Sequence, residues 1–186
     1  MKRSIIRFAF VIVFVNIVSK KREIYVKFFY IVRTMDQINV ERTCVILNQI
    51  LEYELAGVVR YTHYSLMIYG YNRIPIVSWM RDQATESLDH ANRAGELITQ
   101  FGGHPSLGIG QLLETERHDI REILVESLQH EQNALNCYKG LLEEVEGKSI
   151  LLEEYARELI MNEELHLGEV DKMLRAPGST ESIIKN

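Results

Sequence analysis

Residues 35–57 read MDQINVERTCVILNQILEYELAG, and in their continuation Leu47, Leu51, Val58, Ser65 and Ile68 recur at the three-and-four spacing of one helix face. The spacing predicts a helix, A, over about Val40 to Tyr69. Three more segments repeat the pattern. Gly70 to Arg73 makes a short turn, Pro75 suits a first helical turn, and Val77, Met80, Ala84, Ala91, Ala94, Ile98 and Phe101 mark helix B. Gly102 and Gly103 stop it. Helix C is predicted from about Thr115 to Val145, with Ile120, Leu124, Leu128, Leu135, Tyr138 and Leu142 on one face and Gly147 beyond its end. Helix D follows, capped by Ser149, striped by Leu152, Tyr155, Leu159, Val170 and Met173, and closed by Pro177 and Gly178.

The connections choose the topology. A to B and C to D are tight turns, so each pair is an antiparallel hairpin. Gly102 to Glu114 has little helical character, and extended at roughly 3.3 Å per residue it reaches roughly 40 Å, a whole bundle length. The expectation is an all-α four-helix bundle with a long B–C crossover that starts helix C at the end where helix A began. Composition agrees: among 186 residues, 46% apolar and 25% charged, three prolines and 11 glycines are too few for a strand-rich sandwich. Cys44 and Cys137 fit no CxxC or disulfide framework and read as small core hydrophobes in a reducing, cytoplasmic compartment.

Residues 1–34 differ from the rest. They carry eight Lys/Arg and one Glu, a charge of +7, which leaves −12 on the body out of a net −5. Their apolar runs, Phe8–Val18 broken by Asn16 and Ile24–Val32 holding Lys27, are too short for a membrane span, and no small-x-small cleavage site precedes Lys20. A membrane-surface helix would use a similar composition. Helical periodicity and acidic composition nevertheless begin together at Met35, so 1–34 reads as a basic, apolar extension outside the working protein, 35–176 as the bundle and 177–186 as a short tail.

Charges stand where the core should be. Glu54 falls on the apolar stripe of helix A, Glu131 on that of helix C, Glu163 and His166 between Leu159 and Val170, and Glu86 and His90 between Met80 and Ala94. Unpaired buried carboxylates are costly, so such groups neutralise, pair or bind metal. Counted from the A–B and C–D turns, all six stand roughly 20 to 28 Å along their helices at about 1.5 Å per residue. The Glu54–Glu86 and Glu131–Glu163 intervals are equal, which makes the hairpins a pseudo-repeat. Four carboxylates and two imidazoles in one layer outline a dinuclear site suited to iron or manganese. In it Glu54 and Glu131 are terminal ligands, Glu86 and Glu163 bridges, and His90 and His166 bind one metal each. Glu52, Glu114, Glu116, Glu143, Glu144, Glu153, Glu154 and Glu158 read as surface, and His63, His104, His118 and His130 as non-ligands.

The segments LNQILEYELAGVVRY, DHANRAGELITQFGGHPS and NEELHLGEVDKML resemble the helix A, B and D signatures of the bacterioferritin branch of the ferritin-like family. The likeness covers about Met35 to Leu174. It implies a ferritin-like bundle with a buried di-iron ferroxidase centre, two irons per chain, which oxidises Fe(II) to Fe(III) with dioxygen or hydrogen peroxide for iron storage, detoxification and homeostasis. The match carries over to Glu54, His90, Glu131, Glu163 and His166, and Tyr61 matches a tyrosine near the family's metal centre. Helix B departs from the ExxH pattern, with Ser87 where glutamate belongs and Glu86 four residues before His90. The family's haem methionine is replaced by Leu88, so haem is not expected. The ten residues ending IIKN are too few for the fifth helix of a 24-subunit shell, although a homo-oligomer is expected. Two other readings are a di-iron peroxidase resembling rubrerythrin without its rubredoxin part, and a metal-free DNA-protecting or interaction bundle tethered by the basic head. The acidic body disfavours nucleic acid and attracts Fe(II).

Overall fold

The computed structural model describes residues 38–112 and 115–184, so the readings of residues 1–34 and of Glu114 lie outside them. Four helices follow in order: α1 Val40–Met67, α2 Arg73–Gln100, α3 Ile120–Val145 and α4 Ile150–Leu174. Three begin at side-chain caps. Asn39 accepts from the Arg42 amide, Asp119 from Arg121 and Ser149 from Leu152, which satisfies donors that the first helical turn leaves open. Gly70 and Gly147, at φ +89° and +71°, turn the chain between the paired helices in a region costly for other residues.

α1 packs on α2, α3 on α4, and α1 on α3. The core fills the bundle on both sides of the charged layer. Tyr61, Ile68, Met80, Ile123 and Val170 are almost wholly buried toward one end, and Leu47, Ile98, Leu141, Leu152 and Leu159 toward the other. Each such side chain contributes about 1.5–3 kcal/mol by leaving water. No described helix is long and apolar enough to cross a membrane.

α3 starts at Ile120 rather than near Thr115, because Asp119 caps it there and Glu116 sits at φ +56°, outside the helical region. The crossover therefore spans 101–119. It also delivers α3 to the opposite end from the one expected. Tyr61 meets Glu131, Tyr138 meets Glu54 and Arg42 meets Glu144, so α1 and α3 are antiparallel and α3 starts where α1 ends. α2 and α4 are antiparallel too, as the Arg93–Glu158 and Glu86–His166 pairs require. A strand leaving α2 at the start of α1 and running the full bundle length can only arrive at α1's far end.

The crossover is fastened along α1. Ser106 and Gly110 donate their amides to the Asn48 side chain (2.7 Å) and the Glu52 carbonyl (2.8 Å), and a Cβ at Gly110 would stand 3.1 Å from that carbonyl oxygen. The approach is too close for most side chains. Glu52 is consequently half-buried, bonded to the Ser106 hydroxyl, rather than a solvated surface residue. Glu144 and Glu153 are also largely covered, against Arg42 and Arg157. Val58 is only half-buried because the face of α1 centres on Ile50, Gly57, Tyr61 and Tyr64. Met173 is exposed, with Leu174 buried in its stead, and Ile120, Leu128, Leu142 and Cys137 are half-buried at the rims of α3.

Candidate metal centre

The six charged residues singled out on the helix stripes meet at mid-height. Glu54, His90, Glu131 and Glu163 are each 5% exposed or less, while Glu86 and His166 are half-buried. α1 contributes Glu54, α2 Glu86 and His90, α3 Glu131, and α4 Glu163 and His166. Helical pitch does the positioning, because Glu86 with His90 and Glu163 with His166 lie four and three residues apart on one face.

Two ligand groups emerge. Donor atoms of Glu54, His90 and Glu163 lie within 4.8 Å of one another, as do those of Glu131, Glu163 and His166. Glu163 belongs to both. His90 Nδ1 is 3.5 Å from Glu54 Oε1 and 3.6 Å from Glu163 Oε1, and His166 Nδ1 is 3.9 Å from Glu163 Oε2. These separations are long for hydrogen bonds. Two donors about 2.1 Å from one ion at tetrahedral or octahedral angles stand about 3–3.5 Å apart, close to the observed spacing. Glu86 falls in neither group, but its carboxylate spans the two imidazoles, 3.9 Å from His90 Nε2 and 3.3 Å from His166 Nε2. The four-residue spacing thus leaves Glu86 able to face both histidines from the solvent side.

Further contacts hold the carboxylates. Tyr61 donates its hydroxyl to Glu131 Oε1, and Tyr138 donates to Glu54 Oε1 at 2.5 Å. In the sequence Tyr138 is simply one residue of the apolar face of the third helix. The detectable signal was its place two turns after Glu131, a buried phenol that needs an acceptor. His130, expected to be a non-ligand, belongs to neither ligand group and packs its buried ring near Tyr53 and Tyr61.

Electrostatics follow from this crowding. Burial, followed by the charge of Glu163, pushes the Glu131 carboxyl up to about 8. Burial disfavours the His166 imidazolium, yet the Glu163 and Glu86 carboxylates beside it outweigh burial and raise the group to about 10. The bond to His166 lowers Glu86. Burial, with neighbouring carboxylates, drives the Tyr61 and Tyr138 phenols well above their ordinary range, so both stay protonated donors. Glu163 Oε2 is buried with no hydrogen-bond partner. An orphaned buried carboxylate oxygen is costly unless a cation sits beside it. Oxygen and imidazole donors without thiolate fit iron or manganese. A cavity of about 10 Å³, room for about one water, opens between α2 and α4 among these side chains.

Comparisons with known proteins agree with this architecture. A family model described as a ferritin-like domain matches residues 45–177. No curated protein matches the chain. Among solved structures, one described as ferritin-like, diiron-carboxylate proteins from Bacillus anthracis is 23% identical, covering 73% of this chain and 97% of that one at a TM-score of 0.69. The bacterioferritin-related protein of Bacteroides fragilis, described as a dodecameric thioferritin, is 19% identical over 76% and 89% at 0.70. The bacterioferritin of Rhodobacter capsulatus, described with a metal-free dinuclear site and haem iron, is 23% identical over 72% and 84% at 0.64. At these identities the likeness is one of fold.

Proposed function

Because the chain belongs to the ferritin-like domain family, we propose that it is a di-iron protein of bacterioferritin type that oxidises Fe(II) to Fe(III) for iron storage and detoxification. The observation that carries the reading is Glu163, a buried carboxylate common to both ligand groups whose Oε2 lacks a partner. Glu54 and His90 would hold one ion, Glu131 and His166 the other, with Glu163 between them and Glu86 closing the solvent side. Bound there, two iron ions supply one-electron redox chemistry to dioxygen or hydrogen peroxide.

The protein's own groups serve that chemistry. Tyr61 and Tyr138 fix the carboxylates they bond, so the donors are arranged before ions arrive. The apolar layers above and below exclude water. Half-buried Glu86 and His166 offer Fe(II) a route inward, and the body's charge of −12 concentrates cations around it. We assign this function to residues 35–176, acting in the cytoplasm as a homo-oligomer, without haem, nucleic acid or membrane as partners.

The test is metal analysis with Fe(II)-dependent oxygen or peroxide uptake. The protein should bind two ions per chain, and Glu163→Ala should lose both together with the activity. Full metal content in that variant would refute the assignment.

A further inference from the structure

Between α1 and α3 lies a second opening, a groove of about 330 Å³ that shares no residue with the metal-ligand groups. Ile46, Gln49 and Tyr53 line it from α1, and Asn133, Asn136 and Cys137 from α3, each trio on one side of its helix. Gln49 and Asn136 are exposed and the other four half-buried. None of the six carries a charged side chain, in a chain where a quarter of the residues do. Burial, followed by the Glu54 charge, pushes the Cys137 thiol up to about 11, so it too stays neutral near pH 7. Gln129 and Gln132 donate to the side-chain oxygens of Asn133 and Asn136 (3.2 and 3.4 Å), which commits those oxygens and leaves the amide nitrogens to donate elsewhere. Gly140 continues the α3 side of the groove. A Cβ there would meet nothing within 4 Å, so no packing within the chain calls for glycine, a costly residue inside a helix. Its missing side chain keeps the groove open.

We propose that this groove binds an uncharged, flat, fused heteroaromatic ring through a –CO–NH– edge, at a site independent of the metal centre. Small-molecule sites begin at about 300 Å³ and combine apolar surface with a few hydrogen-bonding groups. Ile46, the Cys137 sulfur and the Tyr53 ring supply the surface on which a flat ring packs. The carboxamides of Gln49, Asn133 and Asn136 match a heterocycle's edge, as Asn and Gln side chains do when they pair bidentately with adenine. A purely aliphatic occupant would strip water from those amides and return no hydrogen bond. A phosphorylated one would find no cation in the lining and would meet a body of charge −12.

The full chain is titrated with riboflavin, with flavin mononucleotide, which adds a phosphate to the same ring system, and with adenosine. Binding is read by calorimetry and flavin fluorescence, and oligomeric state by sedimentation. Riboflavin or adenosine should saturate at one per chain, with flavin mononucleotide at least threefold weaker than riboflavin. Gly140→Leu, which fills the groove, should weaken binding at least tenfold, and Asn136→Ala, at an exposed position, at least threefold. Gly95→Leu, replacing an α2 glycine with equally open space, should leave affinity unchanged, and all three variants should keep the parental metal content. Absence of saturable binding by either ring, unchanged affinity in Gly140→Leu or Asn136→Ala, or tighter binding of the phosphorylated flavin would overturn the proposal. So would a Gly140→Leu variant that changes oligomeric state, which would give the groove to a second copy of the chain.

Discussion

Loading of the proposed metal centre should expel protons, and the raised Glu131 and His166 groups set the expected number. Burial and the neighbouring Glu163 charge hold Glu131 at about 8, and the neighbouring Glu163 and Glu86 carboxylates hold His166 at about 10 against the effect of burial. At pH 7 the Glu131 carboxyl is therefore about nine-tenths protonated and His166 almost wholly an imidazolium. Both donate to a metal only without the proton. Loading should release about two protons per chain at pH 7 and about one at pH 9, where Glu131 is already ionised. Apparent affinity then climbs nearly 100-fold per pH unit around neutrality and about tenfold per unit near pH 9. Anaerobic calorimetry with Co(II), in two buffers of equal pH and different ionisation enthalpy, reads the proton number directly. Glu131→Gln should bind more weakly and release about one proton at pH 7. Release of less than half a proton by the parent protein, or the same release from the variant, would refute the reasoning.

In the metal-free protein Glu131 and His166 have folded-state values raised above their ordinary ones of 4.5 and 6.5, so their stabilising effect is complete at low pH and is lost as pH rises. Denaturant midpoints of the metal-free chain should fall between about pH 5 and pH 9, and added metal should reverse the trend. Gly57→Ala, with its Cβ 2.6 Å from Ser87 Oγ and 3.1 Å from His130 Nε2, should cost about 1–3 kcal/mol in chemical unfolding through overpacking. Asp171 on α4 accepts from the Ile183 and Ile184 amides and from Arg175, and those bonds outweigh burial to hold its carboxyl near 2. Asp171→Ala should speed hydrogen exchange of those two amides at least tenfold and leave the α1–α2 hairpin protected, and acid should do the same in the parent protein as pH drops from about 4 to 2.

The helices were legible because their caps, glycine turns and apolar spacing agree locally, as at Asn39, Ser149, Gly70 and Gly147. The charged layer was legible for the opposite reason: Glu54 and Glu131 violate the stripe they sit on. Local pattern is silent about what long-range contact decides. The start of α3 depended on Asp119 and on the conformation at Glu116, and the burial of Glu52 on the crossover lying against α1. Tyr138 looks like an ordinary helix residue in sequence. Only its neighbour across the bundle, the Glu54 carboxylate, gives it meaning.

The misplaced end of α3 shows why equal spacing along two hairpins could not orient them. Glu54 lies near the middle of α1, and Glu131 and Glu163 near the middle of α3 and α4. A level at mid-height is equally far from either end, so it coincides whether the second hairpin points up or down. Only off-centre pairs between the hairpins distinguish the cases: Arg42 near the start of α1 reaches Glu144 near the end of α3, and Tyr64 near the end of α1 donates its hydroxyl to Glu126 near the start of α3. The central level also has a physical use. Helix ends fray at little cost, whereas opening the middle must break the apolar layers on one side or the other. Three buried carboxylates and the half-buried Glu86 push the chain apart, and mid-bundle is where packed layers on both sides can hold them together until cations, or the protons on Glu131 and His166, neutralise them.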